Sequence, residues 1–294
     1  MAIKIIINPC SGRGRGRSSL KTIEQQFAEA GLDFDIELTS AAGEAIELAK
    51  EAVEADYSLV VAGGGDGTLN EVVTGILAAE SPYPRLALIP VGTGNNLARA
   101  LDIPLEAEGA CQRIIKAEKV IKLDVAKVND RYFLNSLGIG LNSQTVYNAN
   151  QGFDNMTGSI VYMLAAVQAL SDYESVELEI RLDSGELIEG AFLMMVIGNG
   201  KVYSRALDLI PDYSINDGLL DLCLIEEMST PELIAKFPKF LATQHEDLAE
   251  VTMRKIKAAQ IRVLNSDRFQ VDGEVLTGEE LEISILPQVL EMII

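Results

Sequence analysis

The stretch Tyr57-Ser58-Leu59-Val60-Val61-Ala62-Gly63-Gly64-Gly65-Asp66-Gly67-Thr68-Leu69-Asn70-Glu71 decides how the first part of the chain folds. It starts as an apolar run typical of a buried strand, breaks into three glycines and resumes with the spacing of a helix, predicted over residues 69–79. Such a connection can hold phosphate, because glycines let the backbone approach the anion and the first N–H groups of the helix point at it. Asp66 repels bare phosphate, so its presence indicates a bridging cation or a proton to be moved.

An ordinary strand-to-helix connection is the alternative interpretation of this stretch. Thr68 and Glu71 have the spacing of a capping box, and Asp66-Gly67 suits a tight turn. Three consecutive glycines exceed what a helix cap needs, so we prefer the phosphate-binding interpretation.

The first 120 residues alternate between strand and helix patterns. Strands are predicted at 3–7, at 34–38, in the apolar run before Gly63 and at 86–90, each followed by a helical pattern. This order is typical of an α/β domain with a parallel sheet flanked by helices. Loops rich in small residues at 8–14, 63–68 and 91–96 follow strands, and Thr39 also follows one. Because ligands bind at the carboxyl ends of parallel strands, we expect these loops to form one site.

The pattern changes near Val120, where short strands separated by turns replace the alternation. They are predicted at 121–128, 131–135, 175–182, 188–197, 219–225, 259–264 and 268–271, with helices at 158–170 and 231–248. This predicts a mostly antiparallel β-sandwich C-terminal domain. We therefore expect an α/β domain over 1–120, a β-sandwich over 121–280 that completes a cleft, and a segment over 281–294 that returns to the first domain.

Composition narrows the function classes. The 294 residues carry a formal net charge of −20, whereas nucleic-acid binding needs a basic surface. No apolar run reaches the ~20 residues of a membrane-spanning helix. We expect a cytoplasmic protein without a transmembrane segment, whose contact with membranes is transient and peripheral.

Cysteine and histidine content argues against several kinds of chemistry. Three cysteines without a CxxC pair fit reduced thiols in the cytoplasm. One histidine, His245, leaves little scope for zinc or for a Ser-His-Asp triad. We expect His245 to be a surface residue of a helix.

Five ordered motifs carry a resemblance to a known family. The segment Gly64-Gly65-Asp66-Gly67-Thr68-Leu69-Asn70-Glu71-Val72-Val73-Thr74-Gly75 resembles the nucleotide motif of the diacylglycerol kinase catalytic superfamily, which includes sphingosine kinases, ceramide kinases and bacterial lipid kinases. The other four motifs are Asn8-Pro9-Cys10-Ser11-Gly12, Pro90-Val91-Gly92-Thr93-Gly94-Asn95-Asn96-Leu97-Ala98-Arg99, Asp217-Gly218-Leu219-Leu220-Asp221 and Val271-Asp272-Gly273-Glu274. The resemblance extends over nearly the whole chain.

The resemblance implies transfer of the γ-phosphoryl group of ATP to a lipid hydroxyl with Mg²⁺, a reaction that depends mainly on positioning and charge neutralisation. It places Asp66 beside the phosphates and their metal ion, and a structural magnesium ion on Asp217 and the carbonyl groups of Ser214 and Leu219. The ATP contacts that it implies are Asn8, Pro9, Cys10, Ser11, Gly12, Thr39, Gly64, Gly65, Asp66, Gly67, Thr68, Leu69, Asn70 and Thr93.

The resemblance leaves the general base open between Asp272 and Glu274. Asp272-Gly273 and Asn216-Asp217-Gly218 are also strong hairpin-turn sequences, and a turn alone would explain them. We favour Glu274 slightly, because the turn or the metal network can occupy Asp272.

Two departures from the family pattern leave the acceptor lipid open. Residues 201–207 lack a glycine-rich run, and residues 141–144 read Leu-Asn-Ser-Gln where relatives often have an aromatic residue, an acid and an alanine. The resemblance implies that the acceptor is diacylglycerol or a related lipid such as phosphatidylglycerol or a sphingoid base. A nicotinamide-nucleotide kinase and a non-catalytic nucleotide- or lipid-binding protein are the alternatives. A homodimer is left open.

Overall fold

The computed structural model describes residues 2–80, 82–141, 175–200, 203–204 and 207–294. The chain divides into two compact units, one of Met1–Val125 with Pro287–Ile294 and the other of Ala126–Leu286. The helix predicted at 158–170 lies outside the described residues.

The first unit contains a parallel sheet. Its strands are β1 (Ala2–Ile7), β2 (Asp33–Leu38), β3 (Leu59–Gly64) and β4 (Arg85–Pro90), in the order β2-β1-β3-β4. All six residues of β3 are buried, as expected of a central strand covered on both faces. Its helices are α1 (Ser11–Glu29), α2 (Glu44–Glu54), α3 (Asp66–Ala78), α4 (Asn96–Ala100) and α5 (Ala107–Lys116). The predicted α/β architecture is confirmed.

Two helix starts differ in detail from the sequence pattern. Helix α3 begins at Asp66, three residues before the predicted start, and its N-cap residue is Gly65 in an extended conformation without a side-chain cap. The capping box of the alternative interpretation does not form, because Thr68 lies inside the helix and the Glu71 carboxylate accepts the N–H of Gly43 at 3.1 Å. Within the range assigned to α1, residues 12–14 have left-handed dihedral angles, so the predicted loop at 8–14 persists to Gly14.

The second unit is built from antiparallel strands. Its sheet runs in the order β16-β15-β7-β9-β8-β14-β17, and β12 pairs with both β9 and β13. The strands from β5 onward are β5 (Val120–Val128), β6 (Arg131–Phe133), β7 (Ser136–Gly140), β8 (Val176–Leu182), β9 (Leu187–Gly198), β10 (Tyr203–Ser204), β11 (Leu207–Asp208), β12 (Leu220–Glu226), β13 (Val251–Ile256), β14 (Ala258–Val263), β15 (Arg268–Val271), β16 (Glu274–Thr277) and β17 (Glu280–Ile293). The prediction of a mostly antiparallel C-terminal domain is confirmed, although six of these strands were not predicted as strands: β7, β10, β11, β13, β16 and β17.

The last strand, β17, contributes to both units. Its first part pairs antiparallel with β14, from Glu280 opposite Arg262 to Ser284 opposite Ala258. Its last part lies in the first unit, where Met292 pairs parallel with Leu86 of β4. Of the segment 281–294, which was predicted to return to the first domain, Pro287–Ile294 belongs to the first unit.

His245 is buried, so its predicted surface position is wrong. Helix α6 (Thr230–Leu241) ends earlier than the predicted helix, and His245 opens a short 3₁₀ turn, His245–Asp247. The imidazole is fully buried, stacks on the ring of Phe240 and contacts the carbonyl oxygen of Leu209 through Nε2 at 3.1 Å. The environment is that of a core histidine.

No helix among the described residues has both the length and the apolar character that crossing a membrane requires.

Candidate active site

Three loops meet at the carboxyl ends of β1, β3 and β4. The backbone N–H of Gly65 donates to Ser11 Oγ at 3.1 Å, and Asn8 Nδ2 donates to Thr68 Oγ1 at 3.3 Å. Backbone hydrogen bonds also join the end of β3 to the third loop, residues 91–96. The N–H groups of Val91 and Gly92 both donate to the Gly64 carbonyl, at 3.0 and 3.2 Å. The loops predicted to share one edge are therefore joined by hydrogen bonds.

Gly65 and Gly92 bring two of these loops into backbone contact. A Cβ atom added to Gly92 would stand 2.2 Å from the Cα atom of Gly65 and 2.8 Å from its nitrogen. No side chain fits in that space. The glycines therefore let the backbones of the two loops approach each other more closely than a residue with a side chain would allow.

Asp66 links the glycine loop to the third loop. Its Oδ1 atom accepts the N–H of Leu97, in the first turn of α4, at 3.2 Å. Its Oδ2 atom is 3.1 Å from the point where a Cβ atom of Gly94 would stand. The carboxylate is partly buried at the start of α3 and lies beside the backbone that the phosphates of a nucleotide would approach.

Asn95 is a site residue that the sequence-based predictions did not include. It is 3% exposed, has a left-handed backbone with φ of 53°, and donates from Nδ2 to the carbonyl oxygens of Pro90 and Gly92, at 3.2 and 3.0 Å. Within the described part of the chain, no hydrogen-bond donor reaches its buried Oδ1 atom. Such an atom normally has a partner, so a bound donor is expected there.

These oxygen atoms fit a magnesium ion that arrives with a nucleotide. Mg²⁺ prefers hard oxygen ligands, keeps several water molecules and needs only one or two protein carboxylates when phosphates supply further ligands. Asp66 offers a carboxylate, and Asn95 Oδ1 can accept from a metal-bound water. No cluster of three or more His, Cys, Asp or Glu side chains in the described ranges could hold a metal by itself.

The remaining predicted ATP contacts belong to the same unit. Thr39, 8% exposed, directly follows β2 and donates its N–H to the Ile7 carbonyl at 2.9 Å. Cys10 and Thr93 are exposed, whereas Pro9 is buried. Arg15, just after the left-handed residues of the first loop, donates from Nη2 to the Gly92 carbonyl. Arg15 is therefore a further contact between the first and third loops.

Asp272 is committed to the backbone of the second unit. Its carboxylate accepts three N–H groups, from Leu134, Asn135 and Ser136, each at 2.9 Å. Its own φ is 47°, in the left-handed region that aspartate and asparagine tolerate. This arrangement pins the hairpin turn to the chain before β7.

Glu274 has a different environment from Asp272. Its side chain is 66% exposed, and its Oε2 atom pairs with Arg131 Nη1 at 3.0 Å. An exposed pair of this kind contributes ~0–1 kcal/mol to stability. The Glu274 carboxylate can therefore change partners at little cost.

The predicted metal ligand Asp217 already has partners for both carboxylate oxygens. Oδ1 accepts the N–H of Leu219 at 3.1 Å, and Oδ2 accepts from Lys255 Nζ at 3.0 Å. The ligand atoms predicted at Ser214 and Leu219 are their carbonyl oxygens, whereas the Ser214 side chain hydrogen-bonds through Oγ with Asn216 Oδ1 at 3.0 Å. A magnesium ion on Asp217 Oδ2 would lie beside the Lys255 ammonium group and be repelled by it, so the carboxylate as it stands favours the lysine over the ion.

Lys255 also contacts Asp221, whose side chain is 10% exposed, at 3.2 Å. Burial raises the pKa of Asp221, and the hydrogen bond and charge of Lys255 oppose that shift. Burial alone lowers the pKa of Lys255, but hydrogen bonds to Asp217 and Asp221 outweigh it, so the pKa lies above its usual value. The lysine is therefore a firmly charged partner of two aspartates.

Comparisons with known proteins agree along the whole chain. The family model of the diacylglycerol kinase catalytic domain matches residues 2–128. That of the YegS C-terminal NAD kinase beta sandwich-like domain matches residues 135–294, in agreement with the predicted sandwich.

Individual relatives are also similar to this chain over nearly its whole length. A diacylglycerol kinase of Bacillus subtilis (strain 168) is 32% identical over 285 residues, which cover 94% of this chain and 91% of the relative. One of Staphylococcus aureus (strain bovine RF122 / ET3-1) is 33% identical over 272 residues, covering 92% and 85%. The crystal structure of a diacylglycerol kinase from Bacillus anthracis str. Sterne superposes with a TM-score of 0.80 at 28% identity, covering 99% of this chain and 96% of that one.

Proposed function

Since this chain belongs to the diacylglycerol kinase family of lipid kinases, we propose that it transfers the γ-phosphoryl group of ATP to a hydroxyl group of a lipid, with Mg²⁺. The proposal that the protein binds ATP rests on the backbone contact between Gly65 and Gly92, where three loops at strand ends meet. Phosphoryl transfer needs mainly positioning and charge neutralisation, and these loops can position phosphates through N–H groups.

In the proposal, the first unit binds ATP. The phosphates lie against the loops that carry Ser11, Gly65 and Gly92, at the N-terminus of α3, where backbone N–H groups and the helix dipole favour negative charge. The full set of proposed contacts is Asn8, Pro9, Cys10, Ser11, Gly12, Thr39, Gly64, Gly65, Asp66, Gly67, Thr68, Leu69, Asn70 and Thr93.

Asp66 and Asn95 are the residues that we assign to the magnesium ion of the nucleotide. When bound, the ion neutralises charge on the phosphate oxygens. Asp66 would hold the ion or its water molecules, and the buried Asn95 Oδ1 would accept from a metal-bound water the hydrogen bond that it lacks among the described residues. Asp66 is therefore a partner of the metal and phosphates rather than the acceptor of the lipid proton.

Glu274 is the general base in this proposal. A base must be able to approach the acceptor hydroxyl and take its proton. The exposed Glu274 carboxylate can do so by leaving Arg131, whereas Asp272 would first have to give up three backbone N–H groups. Asp272 is assigned to holding the turn.

Diacylglycerol is the first candidate for the acceptor, because the relatives in Bacillus subtilis and Staphylococcus aureus are named diacylglycerol kinases. A lipid substrate implies that the protein meets a membrane surface peripherally from the cytoplasm. Phosphatidylglycerol and sphingoid bases remain further candidates, because residues 141–144 and 201–207 depart from the family pattern.

A panel of lipid acceptors in mixed micelles, with γ-labelled ATP and Mg²⁺, tests the proposal. We expect label in a lipid product, and loss of that product in Asp66→Asn. Asp33→Asn, at an exposed position of β2, is the matched control and keeps activity. An assay with NAD as acceptor tests the nicotinamide-nucleotide kinase alternative. Absence of a labelled lipid under every magnesium condition would overturn the kinase proposal. Full activity of Asp66→Asn would overturn the role assigned to Asp66.

A further inference from the structure

A small ionic cluster in the second unit joins the turn before β12 to strand β13. Asp221 of β12 lies directly opposite Lys255 of β13 in the antiparallel register. Lys255 Nζ contacts Asp217 Oδ2 at 3.0 Å and Asp221 Oδ1 at 3.2 Å. The ammonium group therefore bridges the turn and the strand that follows it.

We propose that Lys255 supplies in this chain the positive charge that the family resemblance assigns to a structural magnesium ion at Asp217. The ammonium group and a magnesium ion would compete for the same Asp217 oxygen. The other Asp217 oxygen accepts the Leu219 N–H at 3.1 Å, so each oxygen of the carboxylate already has a hydrogen-bond donor.

The position of Lys255 is set by strand pairing rather than by a flexible contact. Side chains directly opposite each other in an antiparallel pair have Cβ atoms ~4.5–5.5 Å apart, which brings a lysine ammonium within reach of an aspartate. The Asp221 side chain is 10% exposed and the Asp217 side chain 30% exposed. A carboxylate as buried as Asp221 needs a cationic partner, and the register provides one.

Two consequences follow for the whole protein. The stability of the second unit does not depend on a divalent cation, and the magnesium requirement of the proposed reaction comes from the nucleotide alone. These consequences hold whether or not the protein phosphorylates a lipid, because they concern folding of the chain without ATP.

Thermal unfolding of the full chain without ATP tests the proposal, in EDTA and in millimolar magnesium chloride at matched ionic strength. Lys255→Met removes the charge, and Lys255→Arg keeps it. Arg254→Met is the matched control, because Arg254 lies on the same strand, has the same 45% side-chain exposure and pairs with the exposed Glu186. Mn²⁺ binding, measured by electron paramagnetic resonance, reports directly on a divalent site.

For the wild type, Lys255→Arg and Arg254→Met, we expect that the Tm of each protein is the same in EDTA as in magnesium. Lys255→Met loses ~4 °C in EDTA, because two aspartates lose their cation, and regains stability in magnesium in a saturable way. It also gains a Mn²⁺ site that Asp217→Asn removes. Either of two results would overturn the proposal: saturable divalent binding by the wild type that Asp217→Asn abolishes, or a folded Lys255→Met that gains nothing from divalent ions.

Acetylation of wild-type lysines provides a readout that needs no folded variant. Lys255 is held by two carboxylates, so we expect slow acetylation at a rate that magnesium does not change, with Lys257 as the internal reference. A magnesium-dependent rise in Lys255 acetylation would show that the metal displaces the ammonium group and would refute the inference.

Discussion

Replacing Gly92 by alanine tests the contact on which the nucleotide site depends. The new Cβ atom would stand 2.2 Å from Gly65 Cα, 2.7 Å from Asn95 Oδ1 and 2.8 Å from Gly65 N. Two of the three atoms belong to the backbone and cannot rotate away. The two loops must therefore separate by about 1 Å to reach an ordinary contact.

Two effects of Gly92→Ala can be given magnitudes. Overpacking of this kind costs ~1–3 kcal/mol of unfolding free energy, since backbone shifts must absorb the methyl group. A misplacement of ~1 Å in catalytic groups can cost ~10²-fold in rate. We expect ATP affinity to fall at least ~10-fold, equivalent to ~1.4 kcal/mol, and phosphotransfer to fall by about 10²-fold.

The assay combines calorimetric titration with a non-hydrolysable ATP analogue and Mg²⁺, thermal unfolding, and phosphotransfer to the accepted lipid. Gly75→Ala is the control for overpacking elsewhere, because its Cβ atom would stand 2.1 Å from the Ile46 carbonyl oxygen where α3 packs on α2. It should lose stability but keep the ATP affinity of the folded protein. Gly190→Ala, exposed in β9 and in ordinary contact with Phe192, should change neither.

The reasoning would be refuted if folded Gly92→Ala bound the analogue as tightly as the wild type and kept its turnover. It would equally be refuted if Gly75→Ala lost affinity to the same extent, because the effect would then follow from lower stability rather than from the separation of the two loops.

Two further predictions concern the proposed base and the thiols. Asp272→Asn should lose ~2–4 kcal/mol of unfolding free energy, because three backbone N–H groups lose a charged acceptor. Glu274→Gln should keep the Tm and the ATP affinity of the wild type but lose turnover. The opposite pattern would make Asp272 the base. Cys10 is exposed in the first loop, so a thiol reagent at pH 8 should modify it alone in the native protein, and bound Mg-ATP should slow that reaction. Cys111 and Cys223 should react only in denaturant, because burial raises the pKa of each thiol to about 12. Rapid native labelling of three thiols, measured by mass spectrometry, would contradict this expectation, and ATP-independent labelling of Cys10 would contradict its place at the nucleotide.

The sequence by itself determined the α/β architecture of the first unit and the position of its loops. Apolar runs of strand length, such as Leu59–Ala62, alternate with amphipathic helical patterns, and this order restricts the sheet to parallel pairing. The glycines that follow β3 mark a close approach of backbone before any partner is known. These properties depend on neighbours a few residues apart, so a single stretch of sequence contains them.

Only the tertiary structure decided which polar groups have partners. Asp272 receives N–H groups from residues more than 130 positions away, and Lys255 reaches Asp221 only because β12 and β13 pair in one register. His245 follows a helical pattern that indicates the surface, yet packing on Phe240 buries it. Local spacing fixes the conformation of a segment, whereas the burial and the hydrogen-bond partners of a polar side chain depend on segments far away in the chain.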